Sequence, residues 1–113
     1  MVFLSNTPQA EYRAWFYPHE FVDDPALAPH ARTAAGERLM AAFERTAAQL
    51  GSGPWLLGER FSAADLYLLM LLTWGYELPR PPAELPALRA HADRVLARPA
   101  VQAALAFEKI RFR

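Results

Sequence analysis

Cysteine is missing from the 113 residues, lysine and isoleucine occur once each, and valine and threonine four times each. Without a thiol there is no disulfide framework, no thiolate zinc or iron–sulfur site and no cysteine nucleophile. The shortage of β-branched residues works against strands, whereas 22 alanines and 16 leucines favour helices. Neither sign of charge is in excess: twelve basic and twelve acidic side chains are interspersed, which offers no electrostatic footprint for nucleic acid or an anionic membrane surface. Long apolar runs are missing too. The longest, Leu66 to Tyr76, is about half of the roughly 20 residues that a helix needs to cross a bilayer. MVFLSNTPQAEYR has neither the basic start nor the apolar centre of a signal peptide, so the cytoplasm is the expected compartment. The composition predicts one all-α domain over residues 1–113, long enough to bury about two-thirds of its unfolded surface around a single core.

Ten prolines and five glycines punctuate the chain. A first helical segment runs from Met1 to about Phe16 and is interrupted at Pro8. Either the helix kinks there, or Thr7 caps a new helix with Pro8 at its first position. YPHEFVDDPALAPH reads as a loop. From about Pro29 to Leu50, the residues Ala31, Ala35, Leu39, Ala42, Phe43, Thr46, Ala47 and Leu50 recur at spacings of three and four, an amphipathic helix. GSGP ends it, and WLLGER reads as a compact connection that tucks three large apolar side chains into the core.

The clearest local signal is Phe61-Ser62-Ala63-Ala64-Asp65-Leu66. Ser62 and Asp65 have the spacing of a capping box, with Asp in place of the usual Glu or Gln, and Phe61 and Leu66 occupy the two positions of a hydrophobic staple. The helix that follows, LYLLMLLTWGY, is apolar on every face, which predicts burial on all sides as the central helix. After Pro79, Pro81 and Pro82, the residues Leu85, Leu88, Ala92, Val95 and Leu96 draw another helical stripe with Arg89, Asp93 and Arg94 outward. Pro99 suits the first position of a short last helix, and the EKIRFR tail reads as extended.

Candidate chemistry is sparse. His19, His30 and His91 have no ligand spacing, and His19-Glu20 with Asp23 and Asp24 reads as solvated polar groups rather than a metal cluster. No metal is expected. Ser52 lies in GSG rather than in a nucleophile elbow, Ser62 is absorbed by the cap, and phosphate-cradling glycine loops are absent. Aromatic residues are numerous enough to line a pocket, and the eleven arginines spread among acids read as a solvated surface.

Two stretches carry a resemblance. GPWLLGERFSAADLYLLMLLTW and LPALRAHADRVLARPAVQAALAFE are similar to the C-terminal helical domain of bacterial-type cytosolic glutathione S-transferases, in which a Ser/Thr-x-x-Asp segment caps the buried central helix and Arg-Pro-x-Val starts a later one. FLSNTPQAEYRAWF resembles that domain's first helix. The resemblance implies an all-α bundle of about five helices around a buried central helix. It also implies a preceding thioredoxin-like domain that binds glutathione and activates its thiol; that domain is not in this sequence, so glutathione is expected as a ligand only together with such a domain, and no other cofactor is expected. In bacterial members the wall facing the electrophile includes a His-Lys pair on the first helix and a Trp on the central one. Aligned without gaps, the pair falls on Gln9 and Ala10, a departure, while Trp74 matches. The resemblance thus points to Gln9, Ala10, Arg13, Phe16, Tyr67 and Trp74 as ligand-pocket candidates, with no catalytic residue.

The first expectation is a non-catalytic module that binds a small hydrophobic ligand or dimerises. A second is a functional transferase whose thioredoxin-like half is supplied separately or was left out of this sequence. The third is a protein-interaction scaffold. In the two-domain proteins that the chain resembles, the thioredoxin-like domain covers part of the first and central helices, so the resemblance implies apolar surface left open there and a homo-oligomer, or a thioredoxin-like partner domain, that buries residues near Phe3, Trp15 and Trp74.

Overall fold

The computed structural model describes residues 2–51 and 53–112; Met1, Ser52 and Arg113, which enter the expectations above or end the tail, lie outside the described residues. The helices are α1 (Val2–Asn6), α2 (Pro8–Phe16), α3 (Ala28–Leu50), α4 (Ala63–Trp74), α5 (Pro86–Leu96) and α6 (Pro99–Glu108), with single 3₁₀ turns at Pro18–Phe21, Pro25–Leu27, Gly75–Glu77 and Pro82–Glu84. Among the described residues extended pairing is limited to two isolated bridges, Trp55 with Gly58 and Leu57 with Arg60. The fold is all-α, and α1 with α2 taken as one interrupted helix leaves five. The backbone divides into two compact units, Met1–Thr46 and Ala47–Arg113, and α3 runs from the first into the second.

In the first unit Pro8 starts α2 rather than kinking a continuous helix, so its missing N–H falls where a helix has no internal acceptor for one. Thr7 makes no side-chain cap. Its N–H instead donates to the Phe3 carbonyl at 2.9 Å and its carbonyl accepts from Glu11 N–H at 2.9 Å, which carries the hydrogen-bond ladder across the break. Tyr12 of α2 is buried, stacks on Phe16 with centroids 5.7 Å apart and meets Phe43 of α3 edge-on at 6.1 Å. Ala35, Leu39, Ala42, Phe43 and Thr46 form the buried stripe of α3. The Thr46 hydroxyl donates to the Ala42 carbonyl at 3.0 Å, so its burial leaves no donor unpaired. Glu11 and Arg38 tie α2 to α3 at 2.9 Å. Arg32 lies 5.6 Å from the Trp15 ring and donates from Nε to the Trp15 carbonyl at 3.0 Å. A Cβ on Gly36 would stand 3.1 Å from Trp15 Cζ3, a contact tight enough that the indole would have to give by a few tenths of an ångström.

The second unit is built on α4. Its Leu68, Leu69, Leu71 and Leu72 are buried, as are Leu88, Ala92 and Val95 of α5, which lies against both α4 and α6. Burial of α4 on all sides is corrected: Leu66 is 43% exposed, Ala63 is exposed, and Tyr67, Met70 and Trp74 are half-buried, so one stripe stays open. Leu57 does not tuck in either. Trp55 and Gly58 exchange both backbone N–H···O bonds at 3.0 Å, and the resulting tight turn holds Leu57 at its corner, 65% exposed. Gly58 closes that turn at φ +85°, a conformation that side-chain-bearing residues avoid. At the far end α6 includes Glu108, further than the expected tail allows. Lys109 stops the helix in the left-handed region (φ 56°), with Ile110 N–H donating to Leu105 and Lys109 N–H to Ala106. Phe112 then lies beneath Arg89, 5.3 Å from guanidinium to ring.

Candidate functional site

The six candidate residues fall on two helix faces, one in each unit. On α2, Gln9, Arg13 and Phe16 follow at spacings of four and three and share one face, with Ala10 beside it. Gln9 is half-buried, Ala10 and Arg13 are exposed, and Phe16 is 39% exposed with its ring stacked on Tyr12. Arg13 is committed to Glu20, its Nη2 lying 3.1 Å from Oε1 and 3.0 Å from Oε2. On α4, Tyr67 and Trp74 stand seven residues apart on the open stripe with Met70. Phe3 and Trp15, expected near an interface, are half-buried, and the Phe3 ring carries Arg45 at 4.9 Å.

The start of α4 shows why that stripe is held in place. Ser62 Oγ accepts the Ala64 N–H at 3.2 Å while Asp65 Oδ2 accepts the Ser62 N–H at 2.9 Å, a reciprocal capping box. The two staple positions have unlike surroundings: Leu66 is largely open, and the Phe61 ring sits edge-on to Trp55 at 5.0 Å with the Arg98 guanidinium 3.7 Å from its centroid.

Asp65 does more than its spacing to Ser62 discloses. Its carboxylate is fully buried, and Oδ1 accepts from the Leu56 N–H at 2.9 Å and from His91 Nε2 at 2.7 Å. Burial alone would push this carboxyl's pKa up. The bonds from Leu56, His91 and Ser62, with the attraction of His91, outweigh it and hold the pKa below its ordinary value. An ionised carboxylate can only accept, so His91 Nε2 is the donor of this bond; among the described residues the buried Nδ1 has no partner. Neither side chain has any exposed surface, so the pair clasps the loop before α4 to α5 and has no face to offer a substrate. Reading the chain as a sequence missed this pair. The available signal was the position of His91, three residues after Leu88 and four before Val95 on the buried stripe of α5, where an imidazole must find a polar partner.

Asp24 Oδ1 caps the turn at Ala26 N–H, and His19 lies edge-on to Tyr17. Among the described residues no three His, Asp or Glu converge as metal ligands, and no helix is long and apolar enough to cross a membrane.

The family model of the glutathione S-transferase C-terminal domain matches residues 19–99. The chain belongs to the glutathione S-transferase family. A glutathione S-transferase from Xylella fastidiosa superposes with a TM-score of 0.86 at 30% identity, over 98% of this chain and 54% of its own. BphK, a bacterial glutathione S-transferase solved as a ternary complex, superposes with a TM-score of 0.79 at 31% identity, over 95% of this chain and 50% of its own. Among curated relatives, glutathione S-transferase GST-4.5 of Xanthomonas campestris is 29% identical over 96% of this chain and 53% of its own length. The 2,5-dichlorohydroquinone reductive dechlorinase of Sphingobium indicum is 36% identical over 79% of this chain and 29% of its own length. The chain therefore spans about half of these transferases and under a third of the dechlorinase.

Proposed function

We propose that these residues form the electrophile-facing half of a glutathione transferase fold, a module that binds a small hydrophobic ligand, assembles as a homo-oligomer or with a thioredoxin-like partner domain, and has no glutathione-activating chemistry of its own. The observation that carries the reading is the open stripe of α4, where Tyr67, Met70 and Trp74 are only half-buried on a helix whose other faces are filled with leucine. Apolar surface of that kind marks ligand grooves and interfaces. On α2, Gln9 and Ala10 stand where the resemblance expects His and Lys, and Arg13 is tied to Glu20. Tyr12 is no substitute activator, because burial raises its pKa far above the usual phenol value and keeps it protonated. Glutathione enters this reading only with a thioredoxin-like domain, and the cytoplasm is the compartment.

A second reading, a functional transferase completed by such a domain, is favoured by the length of the relatives, of which this chain covers about half. Titration of the chain with the neutral dye Nile red tests the ligand stripe. Saturable fluorescence that weakens in Trp74→Ala and Tyr67→Ala supports it, whereas absence of binding, or binding indifferent to both changes, contradicts it. Sedimentation equilibrium tests assembly: a dimer or larger species is expected, and a monomer at high protein concentration opposes it.

A further inference from the structure

The arginines of this chain differ in what holds them, and some have a carboxylate as counter-group. Arg13, Arg38 and Arg89 meet carboxylates. Arg94 and Arg98 do not: among the described residues each is fixed by a neutral group. Arg94 Nε donates to the Pro54 carbonyl at 3.0 Å, and the Arg98 guanidinium lies over Phe61. Both border one open cleft of about 560 Å³, whose lining is Trp55, Arg94, Ala97, Arg98, Pro99 and Ala100. No acidic residue is among them. The volume falls in the range of small-molecule sites.

Each wall is set before any ligand arrives. Trp55 is held edge-on by Phe61 and, at 6.0 Å, by the His91 ring, and its backbone closes the tight turn with Gly58. The Pro54 bond uses one of five guanidinium N–H donors of Arg94 and leaves four, in a planar fork that matches a carboxylate. Stacking on Phe61 satisfies no N–H of Arg98, so its donors also remain for an anion. Two uncompensated cations beside a fixed indole, with only alanine and proline completing the lining, call for a flat apolar body bearing one anionic group.

We propose that the cleft between the loop before α4 and the α5–α6 junction binds an aromatic carboxylate, its carboxylate held by Arg94 and Arg98 and its ring lying against Trp55. The site contains none of the candidate residues of α2 or the α4 stripe and stands or falls independently of the functional reading above.

Titrating the intact chain with naphthoate, and in parallel with its neutral isostere naphthylmethanol, tests this by two-dimensional NMR. Naphthoate is expected to bind saturably, to shift the Trp55 indole and the Ala97 and Ala100 amides, and to bind more weakly as salt rises; naphthylmethanol is expected to leave those signals unmoved. Arg94→Gln and Arg98→Gln should each weaken naphthoate by ~10-fold or more, because each removes charge-assisted bonds, while Arg89→Gln, outside the cleft, leaves binding unchanged. Arg98→Gln also removes the stack on Phe61. If it fails to fold, Arg94→Gln and the wild-type shift map still decide. Equal binding of the alcohol, inorganic phosphate binding as tightly as naphthoate, shifts confined to other residues, or no saturation at millimolar naphthoate overturns the proposal.

Discussion

A carboxylate with no exposed surface takes donors from three places in the chain: Leu56 in the loop, Ser62 at the cap and His91 on α5. Losing one partner of such a buried group leaves the others desolvated and unpaired, so Asp65→Asn should destabilise the fold by about 3 kcal/mol or more, measured by urea unfolding. The same residue fixes an acid limit. Its folded pKa lies below the ordinary 3.8, so its contribution is complete well above that value and is lost as pH falls through the folded pKa. Melting temperature followed down from neutral pH should therefore drop more steeply in the wild type than in Asp65→Asn, and parallel curves would contradict the assignment. In the first unit the telling residue is Gly36. Alanine there gains about 1 kcal/mol of helix propensity but forces its Cβ against a Trp15 ring already held by Arg32. Overpacking of that kind costs about 1–3 kcal/mol. Gly36→Ala should lower stability and shift tryptophan emission; a more stable variant with unchanged emission would show that the indole yields freely.

Among the elements, α4 depends on its first turn. Ser62→Ala removes the acceptor for the Ala64 N–H and should cost about 1 kcal/mol in a thermal melt, with Ser62→Thr restoring most of it. This cap was legible in the sequence because it is local: Ser and Asp three residues apart, ahead of an apolar run. So was the buried stripe of α3, where polar residues mark the outer face and give the period a phase. The apolar run of α4 has no such phase. Leucine, methionine, tyrosine and tryptophan on every side fix that the helix is covered but not where it is left open, so the stripe at Leu66, Tyr67, Met70 and Trp74 appeared only with the structure. The spacing of Tyr67 and Trp74 nevertheless put those two candidates on one face. Leu57 stands outside the core because the turn that Gly58 closes holds it at a corner, a constraint that hydrophobicity alone does not carry. The pairing of His91 with Asp65 spans 26 residues, beyond the reach of any local pattern, and only the burial of His91 was there to be read from its place on α5.

For the whole molecule, charges sum to zero and apolar side chains such as Val2, Phe21, Leu27 and Phe107 stand more than half exposed. Little opposes association, and scattered light should rise with protein concentration as assemblies form, most strongly near the pI of 6.8 where net repulsion vanishes. The family model places residues 19–99 in the C-terminal domain of a glutathione S-transferase, and on the proposed reading the chain's own groups supply no thiol activation. Tyr12 is buried and protonated, Asp65 and His91 are sealed in the core, and Arg13 is occupied by Glu20. The most direct test is the initial rate of glutathione conjugation to chlorodinitrobenzene by the purified chain alone. The account predicts a rate no higher than that of the protein-free reaction at any protein concentration; turnover that grows in proportion to added protein would contradict it.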